Sequence, residues 1–173
     1  MRKLYTVAFP TLNEADARFV AGIRAKHDRQ SRMLGPHFTL LFACDAVEEA
    51  TYLEHVRAIA ATTPAFLFES RDAEPDSDAD RGYAALVPSR GRAEFTALHG
   101  RLYTGPMAAH LRKDMRFVAH ITVGHCANFA DAQRLCDELN ADGFAISGAV
   151  DALVVGCVEN GAWVELARFA LRH

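Results

Sequence analysis

No run of apolar residues in this chain approaches the ~20 needed for a bilayer-spanning helix. The stretch after Met1, Arg2 and Lys3 reaches Pro10 too soon for a secretory h-region, so a cytoplasmic protein with no membrane partner is expected. Cysteine is scarce and carries no pattern. Cys44, Cys126, Cys136 and Cys157 form no C-x-x-C pair and sit inside apolar stretches, which argues against a zinc ribbon or a disulfide framework. Excess positive charge is missing too. A net charge of −3 and a pI near 6.2 speak against a broad nucleic-acid surface that works through counterion release alone.

What remains is an ordinary globular composition, 173 residues with 50% hydrophobic and 24% charged. A chain of this size folds as one domain, here residues 1–173, and buries roughly two thirds of its unfolded surface. A monomer is expected. Charge is uneven along it. The residues before His37 carry a balance of +4 and Arg101 to Arg116 one of +3, while Glu69 to Asp80 holds six carboxylates against one arginine.

Patterning alternates strands with helices. Lys3 to Pro10 reads as a strand, followed by a helix capped by Asn13 with Asp16 three residues on. His37 to Cys44 is the next strand, and Asp45 with Glu48 opens a helix through about Ala60. Ala65 to Arg71 is a strand running into an acidic, exposed loop (DAEPDSDAD), and Gly82 to Pro88 is a strand before a helix capped by Ser89. A short basic helix is expected from Met107 to Asp114, then a strand from Phe117 to Cys126 and a helix marked by Ala132, Leu135, Cys136 and Leu139. The C-terminal part reads as three strands, with Glu159-Asn160-Gly161 as a hairpin signal.

These elements repeat. Tyr5-x-x-x-x-Pro10 is matched by Tyr83-x-x-x-x-Pro88, each ending a strand that feeds a helix, and each unit leads on to a strand that a histidine opens. Those strands begin His37-Phe38-Thr39-Leu40 and His120-Ile121-Thr122-Val123. Side chains alternate along a strand, so each histidine shares a face with its threonine while the flanking apolar residues enter the core. Chance gives only about 0.4 His-x-Thr triplets in such a composition, so two at matching repeat positions point to chemistry. An imidazole moves protons near neutral pH, and a hydroxyl donates to an anionic oxygen.

The paired H-x-T-x motifs, 83 residues apart, resemble those of the 2H phosphoesterase superfamily, in particular its 2′,5′-RNA ligase-like and 2′,3′-cyclic phosphodiesterase branch. The likeness extends to the KLYTVAFP start, the YAALVP…LHGRLY unit and the WVELARFAL end, although Ala119 stands where family members often have proline. It implies an α+β, bilobal, pseudo-two-fold fold in which two antiparallel sheets face a central cleft with helices outside. It further implies His37 and His120 as catalytic acid and base, in an order the sequence leaves open, and Thr39 and Thr122 as phosphate-binding hydroxyls. The implied reaction opens 2′,3′-cyclic phosphates of RNA ends or nucleotides to 2′-phosphates, with reversible 2′,5′ ligation as a side activity and with no cofactor and no metal. Two other readings stand beside it: a module that binds a nucleotide or RNA end without turnover, and a phosphodiesterase for another cyclic phosphate.

Other residues read more plainly. Arg29, Arg32, Arg112, Lys113 and Arg116 are solvated charges that could line the cleft mouth, and Tyr5, Phe9 and Tyr83 are core residues that could offer a ring to a base. In a regular strand His125 points away from His120, so a zinc site with Cys126 is not expected. Asp76, Asp78 and Asp80 imitate a calcium loop, but Arg81 and Val87 occupy its glycine and glutamate positions.

Overall fold

The structure is a computed structural model that describes residues 2–78 and 81–172. The first β-branched and aromatic run forms β1 (Leu4–Ala8), and Thr11–Leu12 adds the two-residue β2. Helix α1 (Glu14–His27) starts as expected. The Asn13 side chain accepts from the Asp16 backbone N–H at 2.9 Å, satisfying one of the helix's free donors. Strand β3 (Phe38–Cys44) and helix α2 (Glu49–Ala61) follow, then the long hairpin of β4 (Phe66–Ser77) and β5 (Gly82–Arg90). Helix α3 (Arg92–Leu102), a 3-10 turn (Gly105–His110), β6 (Ile121–Cys126) and α4 (Phe129–Asp142) lead to β7 (Ile146–Val150), β8 (Ala152–Glu159) and β9 (Ala162–Ala170). The β8–β9 hairpin turns where the sequence signals it, on Asn160 and Gly161 with φ of 51° and 76°.

The described strands form one strongly curled, antiparallel sheet in the order β2-β7-β4-β5-β6-β3-β1-β8-β9. Read outward from its centre, β3-β1-β8-β9 on one side mirrors β6-β5-β4-β7 on the other, the duplication expected from the sequence. The two halves join at the pair Phe38–Ile121. Register repeats as well: Ala8 pairs with Phe38 as Leu86 pairs with Ile121, and Val7 with Thr39 as Ala85 with Thr122. After each motif threonine one extra residue, Leu40 or Val123, is inserted without a partner, so each motif ends in a β-bulge.

Helices cover the apolar face symmetrically. α1 crosses to β6 and α3 to β3, while α2 lies on β8 and β9 and α4 on β4 and β5. Phe38 and Ile121 are fully buried there, with the Phe38 ring 4.2 Å from that of Phe95 and 5.0 Å from that of Phe68. The opposite face carries the polar residues of both motifs.

Several expected boundaries move for physical reasons. The acidic loop is largely strand. Asp72 to Ser77 pair with β5, and Ala73, beyond the reach of β7, exchanges two hydrogen bonds with the Asn140 side chain, which satisfies its free edge. Pro75 lacks only an N–H that no strand would accept from, and Ala79 and Asp80 lie outside the described residues. Glu48 alone caps α2, through the Thr51 N–H, without Asp45. Gly91, in the left-handed region at φ 86°, stands at the N-cap of α3, and the Ser89 hydroxyl donates to Glu69 O instead. The basic helix at Met107 to Asp114 gives way to the 3-10 turn, and residues 111–120 run without regular structure to β6.

Phe38 thus serves both as a core ring and as the junction of the halves. Phe38→Ala should lower the unfolding free energy by about 3–5 kcal/mol in urea titration. A loss below about 1 kcal/mol would show that this ring does not tie the halves together.

Candidate active site

The single pair Phe38–Ile121 determines where the motifs meet. Continued one residue each way, its register sets His37 across from Thr122 and Thr39 across from His120. All four side chains share one face, because their neighbours Phe38, Leu40, Ile121 and Val123 are buried on the other. The sheet therefore brings the two motifs side by side.

Both imidazoles are held alike. His37 Nδ1 lies 2.8 Å from Gly35 O, and His120 Nδ1 lies 2.8 Å from Val118 O, in each case the carbonyl two residues upstream. A carbonyl only accepts, so Nδ1 carries the hydrogen in both rings and each Nε2 is left available to exchange a proton. The described residues offer no hydrogen-bond partner to the Thr39 or Thr122 hydroxyl.

Their surroundings differ. Burial lowers the His37 pKa to about 4 against the pull of Gly35 O, and the positive charges of Arg24 and His120 press the same way while Asp28 opposes them. Phe9 sets its ring against His37 at 6.2 Å, and behind it stand Trp163 at 6.3 Å from Phe9 and the Arg168 guanidinium, 5.9 Å from the Phe9 centroid. Tyr5 completes this aromatic wall, 6.4 Å from Trp163. On the other side a cavity of about 250 Å³ opens beside His120, walled by Phe42, Ala85, Val87, Met115 and Arg116 with Glu74 and Asp76 at its acidic side.

Of the basic residues noted in the sequence, Arg116 lines that cavity and Arg112 pairs with Asp114 at 2.6 Å. Arg29, Arg32 and Lys113 are exposed. Tyr83 bonds Asp78 and packs its ring on His125 at 5.2 Å. The orientation expected for His125 is corrected by the bulge at Val123, which returns His125 to the face of His120 and Thr122. There its Nδ1 meets the buried Asp28 at 2.8 Å, a partner 97 positions away that strand patterning cannot reveal. Sequence patterning does not single out Arg24, Trp163 or Arg168 either. For Arg24 the i,i+4 spacing to Asp28 is the one available signal. Among the described residues no group of three His, Cys, Asp or Glu side chains is placed to hold a metal ion, and no helix is long and apolar enough to cross a membrane.

The fold and the twinned motifs define a duplicated α+β protein with two histidines on a shared face of its sheet. Comparison with known proteins gives that class its family. The model of the 2′-5′ RNA ligase superfamily matches residues 12–161, and the chain belongs to this superfamily of 2H phosphoesterases, enzymes that cleave or join phosphate esters. Its fold is similar to that of E. coli LigT complexed with 3′-AMP (TM-score 0.70, 19% identity, 99% of each chain covered). It is similar too to TT0787 of Thermus thermophilus (0.63, 19%, 98% of each) and to Kluyveromyces marxianus Usb1 (0.55, 10%, 95% and 97%). No curated protein matches the chain.

Burial of His37 has a thermodynamic consequence. The unfolded ring takes up its proton near 6.5 and the folded ring near 4, so the unfolded state binds more protons in between. This contribution is present in full above pH 6.5 and is lost as pH falls toward 4. It amounts to on the order of 3 kcal/mol. His37→Gln should therefore flatten the fall in stability between pH 7 and pH 4 by that order in urea titrations. Parallel pH dependences of mutant and parent would contradict the half-buried, neutral ring.

Proposed function

We propose that the protein opens 2′,3′-cyclic phosphates of RNA ends or nucleotides to 2′-phosphomonoesters by acid-base catalysis between two histidines of one chain. The observation that carries this reading is the matched tethering of the rings. Each holds its Nδ1–H on a backbone carbonyl and so turns Nε2 toward a face that also bears a free threonine hydroxyl. The solved complex of LigT with 3′-AMP, and those with ATP and NADP+, support a nucleotide as the ligand.

The surroundings of His37 support one division of roles. His37, neutral above about pH 4, is the base: its Nε2 takes a proton from water as the water oxygen bonds to phosphorus. His120 is the acid. As the bond from phosphorus to the 3′ oxygen breaks, the His120 Nε2–H delivers its proton to that oxygen. Thr39 and Thr122 donate to the non-bridging oxygens, where negative charge grows in the transition state. A 5′-hydroxyl in place of water forms a 2′,5′ linkage by the same proton transfers, which accounts for ligation as the companion activity. The aromatic wall of Phe9, Trp163 and Tyr5 beside His37 suits a nucleobase. None of these steps uses a metal.

Incubation with nucleoside 2′,3′-cyclic phosphates in EDTA should yield the 2′-phosphate. His37→Ala and His120→Ala should each lose ~10²–10⁴-fold in turnover. Thr39→Val or Thr122→Val should lose about 10²-fold. The pH profile should be a bell whose acid limb has its midpoint near 4. Binding of the cyclic phosphate without any product would instead identify a nucleotide-binding module.

A further inference from the structure

Three charged or polar side chains are buried together where the end of α1 meets the end of β6, outside the four motif residues. The side chains of Arg24, Asp28 and His125 are 4%, 1% and 8% exposed. Arg24 Nε donates to Asp28 Oδ2 at 2.7 Å, while Asp28 Oδ1 accepts from the Gln30 N–H at 2.8 Å and from His125 Nδ1 at 2.8 Å. Burial raises the Asp28 pKa, but His125, the Gln30 N–H and Arg24 together outweigh it, and the carboxyl stays ionised below its usual value. A buried network of this kind adds little net stability, because desolvation cancels most of its attraction. Its geometry, however, is specific.

Arg24 also reaches past Asp28 to donate from Nη2 to Leu34 O at 2.8 Å. The next carbonyl, Gly35 O, is the one that holds His37 Nδ1. The network therefore joins the end of α1, the loop that carries the His37 tether, and β6 beyond its bulge. The other motif has a counterpart of different chemistry. His99 of α3 donates from Nδ1 to Leu40 O, the bulge residue of β3, at 2.9 Å, and stacks its ring on Phe117 at 3.7 Å and 7°, one residue before the tethering Val118. Each tethering loop is thus strapped by its preceding helix to the strand of the opposite motif.

We infer that Asp28 and His125, with Arg24, are positioning residues for His37: by clamping the carbonyl before Gly35 to β6 they keep the His37 ring in the Nδ1–H tautomer with Nε2 toward the phosphate site. The inference rests on the two-histidine reading above, and it concerns His37 alone, because His120 is strapped through His99 and Phe117. His125 itself does not touch the reacting atoms in this role.

Imidazole-detected 15N NMR on the chain without substrate, combined with steady-state kinetics on a nucleoside 2′,3′-cyclic phosphate, tests it. The parent should show His37 as a single Nδ1–H tautomer at pH 7. In His125→Phe, which removes the donor, and in Asp28→Asn, the His37 signals should report a mixture of tautomers while those of His120 stay unchanged. Turnover should fall about 10- to 100-fold with KM within about twofold, a loss of orientation rather than of binding. His125→Asn, which returns an N–H near the Nδ1 position, should restore both. Should Asp28→Asn fail to fold around the unpaired Arg24, the His125→Phe and His125→Asn pair alone decides. A folded His125→Phe with parental His37 signals overturns the inference. If the parent turns over no cyclic phosphate yet His125→Phe still scrambles the His37 tautomer, the functional reading falls and the positioning role stands.

Discussion

Everything at the site depends on one backbone contact, the ladder pairing of Phe38 with Ile121 at the centre of the sheet. It joins two half-sheets of the same design and sets their register, and through the alternation of side chains it presents two histidines and two threonines on one face. A one-residue slip of either strand in that register would turn its motif into the core and bring its own apolar residues out to the open face. Register is defended there because Phe38 and Ile121 have no exposed surface and Phe38 packs against rings from α3 and β4. Core packing and the placement of the two motifs are two aspects of the same pairing.

The duplication makes the two motifs alike in backbone, and their surroundings make them unlike in chemistry. Both rings are tethered to a carbonyl two residues back, and both strands bulge after the threonine. Yet Phe9 stands beside His37 where its repeat equivalent Val87 lines a cavity beside His120. Burial and neighbouring positive charge favour the neutral form of His37, so a symmetric frame holds its two imidazoles in unequal surroundings. The two straps differ in the same way, one built of buried charges and the other of a histidine stacked on a phenylalanine.

Strand and helix identity was legible wherever local chemistry decides it. Asn13 caps α1 through Asp16, and Asn160-Gly161 turns the last hairpin, because those side chains and that glycine act within a few residues of themselves. Legibility failed where a distant partner intervenes. The acidic segment after Arg71 has the composition of a loop, yet β5 and Asn140 supply the hydrogen bonds that make most of it a strand. His125 reads as facing away from the site because the alternation rule assumes a regular strand. The unpaired Val123 breaks that rule, and nothing in the local sequence announces it.

By itself the sequence determined the repeat, the alternation within each H-x-T-x motif and the capping and turn chemistry, since all of these act over a few bonds along the chain. Only the tertiary structure decided which faces meet, how deeply each imidazole is buried, and that Arg24, Asp28 and His125 join in one network. Burial and the fields of neighbouring charges are set by groups far apart in the chain, so the proton affinity of His37 exists only once α1, β3 and β6 are packed together.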